Sequence, residues 1–208
     1  MLILASASKA RQNLLDQLSY PYKVIVSEIN ESKIIHSDIN HLVQLIAQAK
    51  AENVINKIRN RNDVNYNDFN AILACDSLFE FQGEIFGKPI NEEDALYRWR
   101  RMSSGNGILY TGYYFSYKQL RKDGNRDNHF SCFFTDVIST KIEFDRLTNE
   151  EINWYVKTKE PMNCAGGFAL EGKGSMFIKK IEGCYTNVIG LSLPWLRDSL
   201  KKIDDIKK

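Results

Sequence analysis

No uninterrupted apolar run in this chain approaches the roughly 20 residues that a membrane-spanning helix needs, so no membrane contact is expected. No Cys-x-x-Cys pair occurs. The four cysteines, Cys75, Cys132, Cys164 and Cys184, and the three histidines, His36, His41 and His129, do not fall into zinc-like spacing. Four reduced thiols in an oxidant-poor compartment are the default. The net charge is only +2, which argues against a protein that coats a nucleic-acid polymer by charge but permits a local basic pocket. There is no internal repeat, and no glycine-rich loop ending in Gly-Lys-Ser/Thr, so this is not a P-loop protein. Met1-Leu-Ile-Leu-Ala5 is too short and lacks the basic flank of a secretory signal, and a cytoplasmic protein is expected.

Hydrophobic residues make up 43% of the 208 positions and charged residues 26%, enough for a substantial core. One domain over residues 1–208, with room for two small lobes, fits the length. Apolar runs at 1–5, 22–26 and 71–75 read as strands, the last ending abruptly at Asp76-Ser77. Residues 78–81 and 84–86 read as a hairpin around Gln82-Gly83, and 108–117, 130–144 and 176–181 as further strands. Helices are predicted after Ser8, over about 40–58, from Asn91, from the Thr148–Glu151 capping box, and over 193–200. Leu14, Leu15 and Leu18 mark the inner face of the first helix; Leu42, Leu45, Ile46 and Ala49 mark that of the second. Trp99, Trp154 and Trp195 read as packing residues, and the Asn-rich stretch 59–70 as a surface loop. Strands and helices alternate around a strand-rich middle, which predicts an α/β fold with a mixed sheet.

Several short segments suit an anionic ligand. The run Met1–Ala5 breaks at Ser6-Ala7-Ser8, where a helix begins with Ser8 as N-cap and Lys9 and Arg11 in its first turn. Free helix amides, hydroxyls and cations together suit a phosphate, and the same residues also suit ordinary capping. Asp76 follows a buried strand, where open α/β sheets place functional groups. It fits a metal or water-orienting carboxylate as well as a plain strand-terminating residue. Lys88 is restrained by Pro89 and suits either a phosphate or solvent. Lys50 lies beside the apolar stripe of its helix, placed to snorkel or to reach a site. Glu171 stands between glycine-rich turns, where it can accept hydrogen bonds from a base or ribose, or face solvent. Cys164 has no histidine near it in sequence to activate it as a nucleophile.

Read in order, Leu4-Ala-Ser-Ala-Ser8 with Arg11, Ala49-Lys50-Ala51, Cys75-Asp76-Ser77, Gly87-Lys88-Pro89, Tyr110-Thr111-Gly112, Tyr155–Pro161, Cys164–Gly172 and Asn187–Leu191 resemble the Maf family of nucleoside triphosphate pyrophosphatases over essentially the whole chain. The resemblance implies a mixed, strongly twisted sheet with flanking helices and two lobes around a nucleotide cleft. It implies hydrolysis of the α–β phosphate bond of noncanonical or modified nucleotides, giving a nucleoside monophosphate and pyrophosphate. It makes Asp76 the catalytic proton acceptor, and Ser6, Arg11, Lys50 and Lys88 the phosphate-binding residues. Ser77 is a further substrate contact, and Glu31 joins Asp76 as a candidate ligand of Mg²⁺ or Mn²⁺. A homodimer is a candidate assembly.

Three departures from the family pattern stand out. Lys9-Ala10 replaces the usual Pro-Arg. Cys75-Asp76-Ser77 replaces Ala-Asp-Thr. Glu171 occupies the place of a Gln in the pyrimidine-preferring branch. An ionised Glu only accepts, so it suits the donors of a guanine edge and the cationic base of 7-methyl-GTP better than uracil O4. The alternative is a catalytically weak nucleotide-binding regulator linked to cell division.

Overall fold

A computed structural model describes residues 1–60, 68–121 and 124–203. The middle of the predicted 59–70 loop lies outside them. Seven strands form one open mixed sheet: β1 (Leu2–Leu4), β2 (Tyr22–Val24), β3 (Ala71–Phe81), β4 (Glu84–Phe86), β5 (Asn106–Tyr117), β6 (Cys132–Phe144) and β7 (Ile178–Glu182), in the order β2-β1-β3-β5-β6-β7 with β4 on β3. β1 is parallel to both β2 and β3; the β3–β4 and β6–β7 pairs are antiparallel. The helices are α1 (Lys9–Gln17), α2 (Ile39–Arg59), α3 (Glu92–Met102), α4 (Asn149–Lys157), α5 (Tyr185–Ile189) and α6 (Leu193–Lys202). The predicted α/β class with a mixed sheet is therefore correct. Among the described residues no helix is long and apolar enough to cross a membrane.

The predicted caps hold because their side chains satisfy amides that a helix start leaves unpaired. Ser8 caps α1, Asn91 caps α3 and Thr148 caps α4 in a complete capping box with Glu151. The chain divides into two compact units. The first holds Met1–Asp76, Thr111–Val137 and Leu191–Lys208; the second holds Ser77–Tyr110 and Ile138–Gly190.

In the first unit, α2 covers a face made of Ile3 and Ala5 with Ile72 and Ala74 of β3. The stripe it buries is Val43, Ile46, Ala47, Lys50, Ala51, Val54 and Ile58. This corrects the sequence-based stripe, because Leu45 is exposed. The reason is steric. Ala47 and Ala51 face Ala5 and Ala74, and small residues let the helix lie close to the sheet in a way leucines do not. Gly112 of β5 belongs to the same close approach, since a Cβ there would overlap the backbone carbonyl of Val43. Leu18 is likewise exposed, beyond the buried Leu14 and Leu15 of α1.

In the second unit, Trp99 of α3 and Tyr155 of α4 meet edge to face at 5.1 Å. Phe144 and Phe177 complete the cluster at 5.5 and 5.8 Å from Trp99. Edge-to-face rings add about 0.5–1.5 kcal/mol per pair beyond burial. Trp154 corrects the reading of three packing tryptophans. It is 46% exposed, with its ring edge-to-face against Phe177 at 6.3 Å and the Lys173 ammonium over it.

One correction bears on function. β3 does not end at Asp76 but runs on through Ser77 to Phe81, so Asp76 stands in mid-strand. A charged side chain buried inside a strand requires a partner, and Lys50 of α2 is that partner. Gly112→Ala is expected to destabilise the protein by about 2–3 kcal/mol or more, the cost of overpacking. Urea unfolding with a loss under about 0.5 kcal/mol, the range of an ordinary surface change, would contradict the close α2–β5 approach.

Candidate active site

Past Leu4 the first strand stays extended, with the Ala5 amide donating to the Leu73 carbonyl at 2.8 Å. This sets Ser6 at the foot of α1. The Ser6 hydroxyl oxygen accepts from the Ser8 amide at 3.2 Å and from Arg11 Nη1 at 3.0 Å. Arg11, in the first turn, therefore folds back over the strand–helix junction, and both side chains are buried. Lys9 does not join them; it is exposed and donates to Gln12 at 3.3 Å. The N-terminal cation predicted from sequence is thus Arg11 alone.

Asp76 extends the Ile72–Ala74 face of β3, directly below α2. Lys50, on the buried stripe of α2, brings its ammonium to 2.6 Å from Asp76 Oδ1 and 2.9 Å from Glu31 Oε1. The Lys50 and Asp76 side chains are each 10% exposed, and that of Glu31 51%. Glu31 opens a one-turn 3-10 helix, Glu31–Lys33, capped by Asn30. Lys50 is therefore drawn inward to carboxylates and does not snorkel to solvent. The charges of Arg11, Lys50 and Asp76 all act on Cys75, whose thiol is raised mainly by complete burial, with the two cations opposing. Five predicted residues, Ser6, Arg11, Glu31, Lys50 and Asp76, thus gather in the first unit.

Ser77, Lys88 and Glu171 belong to the second unit. Side chains alternate along a strand, so Ser77 takes the face opposite Asp76. Lys88 is exposed and follows Gly87, whose carbonyl accepts from Arg98 Nη1 at 2.8 Å and from the Gly166 amide at 3.2 Å. Trp99 Nε1 donates to the Gly167 carbonyl at 2.9 Å. The Lys88 turn and the Cys164–Gly167 turn are therefore held to α3 as one block. Arg98 is not visible as a contributor from sequence. Its spacing from Asp94, four residues back, reads as a surface ion pair, and that pair does form at 2.8 Å, but its effect is to aim the guanidinium at Gly87.

Burial pushes the Cys164 thiol up to about 12, aided by Glu171 and Glu160 and opposed by Lys88. Such a thiol is no nucleophile at neutral pH. It does report that Lys88 and Glu171 lie in one neighbourhood. Partial desolvation raises the Glu171 carboxyl above its usual range, and the charge of Glu160 raises it further.

A divalent cation is tested by the donors present. Among the described residues no group of three or more His, Cys, Asp or Glu side chains could hold a metal. Two hard carboxylates, Asp76 and Glu31, do converge on a single positive point, the Lys50 ammonium. Mg²⁺ is commonly bound by one or two carboxylates, with waters and substrate phosphates filling the rest. The donor set therefore fits that mode.

Comparison with known proteins shows the family. The family described as Maf-like protein matches residues 1–203. This chain belongs to the Maf family. A relative from Prochlorococcus marinus strain SARG is 53% identical over 202 residues, covering 97% of each chain. One from Prochlorococcus marinus strain NATL1A is 51% identical, over 97% of this chain and 95% of its own. One from Parasynechococcus marenigrum strain WH8102 is 49% identical over the same shares. Each is named nucleoside triphosphate pyrophosphatase.

In this Maf-family chain the Lys50–Asp76 pair is a buried ion pair, and removing one partner strands the other. Lys50→Met is expected to cost about 3 kcal/mol in urea unfolding, and Lys50→Met with Asp76→Leu to recover most of that loss. A single-variant loss below about 1 kcal/mol, typical of a surface pair, would contradict the burial of this charge.

Proposed function

We propose that this protein is a nucleoside triphosphate pyrophosphatase that cleaves the α–β phosphate bond and releases a nucleoside monophosphate and pyrophosphate. The observation that carries this reading is the buried Lys50–Asp76 pair, joined by the half-exposed Glu31, beside the Ser6–Arg11 hook. It occurs in a chain whose full-length relatives bear that name.

The chemistry follows from what these groups can do. Arg11 and Lys50 supply fixed positive charge from partly dried positions, where charge acts more strongly than in water. A triphosphate oxygen competes with Asp76 and Glu31 for the Lys50 ammonium. That exchange binds the substrate and frees an Asp76 oxygen to accept a proton from the attacking water. Ser6 and the amides at the start of α1 orient a phosphate oxygen. Lys88, restrained by its turn, is assigned to the leaving pyrophosphate on family likeness. Asp76 and Glu31 would hold Mg²⁺ or Mn²⁺, which would neutralise charge on the phosphates.

For the base, we assign Glu171 as the selecting group and a purine, such as that of 7-methyl-GTP, as the preferred class. A carboxylate accepts two donors from a guanine edge and attracts a cationic base, but offers no donor to uracil O4 unless protonated.

Asp76→Asn is expected to abolish pyrophosphate release across a panel of nucleoside triphosphates with Mg²⁺ or Mn²⁺, while nucleotide binding survives. Near-normal turnover would remove Asp76 from proton transfer. Glu171→Gln is expected to shift preference toward UTP and dTTP in the same panel, and an unchanged profile would count against base selection by the carboxylate. Binding without turnover by the unaltered protein on every nucleotide would favour a regulator instead.

A further inference from the structure

Glu160 lies just beyond α4, at the start of a 3-10 turn, Glu160–Asn163. Its carboxylate accepts three hydrogen bonds. Oε1 takes the Tyr155 hydroxyl at 2.7 Å and the Gly174 amide at 2.9 Å, and Oε2 takes the Lys173 amide at 3.0 Å. The Tyr155 oxygen in turn accepts the Ala169 amide at 3.2 Å. One side-chain relay therefore grips the chain at Ala169 on one side of Glu171 and at Lys173 and Gly174 on the other. The two glycines of Glu171-Gly172-Lys173-Gly174 are explained by it. A Cβ on Gly172 would collide with the Glu160 carboxylate, and one on Gly174 with the Tyr155 hydroxyl.

Tyr155 is fully buried in the aromatic cluster, so the relay is mounted on a fixed base. Burial alone would push the Glu160 carboxyl up, but the Lys173 and Gly174 amides and the Tyr155 hydroxyl outweigh it and hold it below the usual range. Glu160 is accordingly charged at neutral pH, which makes each bond it accepts charge-assisted and stronger than a neutral one. The hydroxyl of Thr158 accepts from the Glu160 amide at 3.2 Å and donates to the Tyr155 carbonyl at 2.6 Å, fixing the backbone from which the carboxylate projects.

We propose that Glu160, acting through Tyr155 and the amides of residues 169, 173 and 174, is the positioning residue that holds Glu171 in place for base selection. The proposal rests on the reading of Glu171 given above. Glu160 touches no reacting atom in this account; it fixes the segment whose central carboxylate does the selecting. Loss of the clamp frees Glu171 to sample several positions, which weakens binding of the preferred base more than that of others.

Two full-length variants test this. Glu160→Gln keeps one acceptor oxygen but sets an amide NH₂ against backbone donors. Tyr155→Phe removes only the hydroxyl and preserves the ring packing. Amide hydrogen exchange by NMR is expected to quicken about tenfold or more at Lys173 and Gly174 in the first variant and at Ala169 in the second, with Leu73 in β3 unchanged. In both, the ratio of kcat/KM between the preferred nucleotide and one differing only in its base is expected to fall at least fivefold, mainly through KM. Glu160→Ala should exceed Glu160→Gln in each effect. Unchanged exchange at these amides overturns the clamp. A lowered Tm with an unchanged base ratio reduces it to a structural support and overturns the positioning role. If the unaltered protein turns over no nucleotide, the pyrophosphatase reading fails, and the exchange result still decides whether the clamp exists.

Discussion

The first unit is organised around one ion pair, the Lys50 ammonium against Asp76 beneath α2. Removing two charges from water costs several kcal/mol per ion, repaid only if the partners meet closely. At 2.6 Å they do. That distance depends on how near α2 comes to the sheet, which Ala5, Ala47, Ala51, Ala74 and Gly112 allow. The smallness of these residues and the charge of the pair are therefore one constraint. Widening the helix–sheet gap by a single larger side chain would separate the charges.

The same constraint connects fold to chemistry. A lysine held between two carboxylates has its charge more than compensated without any ligand. On the function proposed, a polyphosphate would offer that lysine further acceptors and displace the carboxylates toward water or a cation. The neighbouring Ser6–Arg11 hook repeats the arrangement with neutral oxygen: the guanidinium is oriented by a hydroxyl that it can exchange for phosphate. Both cations are thus held in fixed positions by their partners before any ligand arrives, as electrostatic preorganisation requires.

What can be read from the sequence follows the range of the interaction responsible. Ser8, Asn91 and Thr148 cap helices through amides three residues away, and such local chemistry is legible. Asp76 is legible as a candidate functional carboxylate by its place in an apolar run, but its strand reads as stopping there because its partner stands 26 residues earlier. The α2 stripe is misplaced by one residue because leucine counts as more apolar than alanine, whereas close packing selects for size. Glu31 comes from family likeness alone, with no local pattern to announce it, and its carboxylate meets Lys50 at 2.9 Å. Arg98 and Glu160 act on backbone groups 11 to 14 residues away, Gly87 and residues 173–174, and no local pattern announces a backbone partner at that range. In the second unit these side-chain-to-backbone bonds take the place that the ion pair has in the first.

The reaction is defined by which phosphate bond breaks. Its most direct test is ³¹P NMR of the unaltered protein with a nucleoside triphosphate and Mg²⁺ or Mn²⁺, followed to completion. Equal amounts of nucleoside monophosphate and pyrophosphate are predicted, with no nucleoside diphosphate. Nucleoside diphosphate and orthophosphate as products, or triphosphate signals that persist on a full panel of bases, would contradict it.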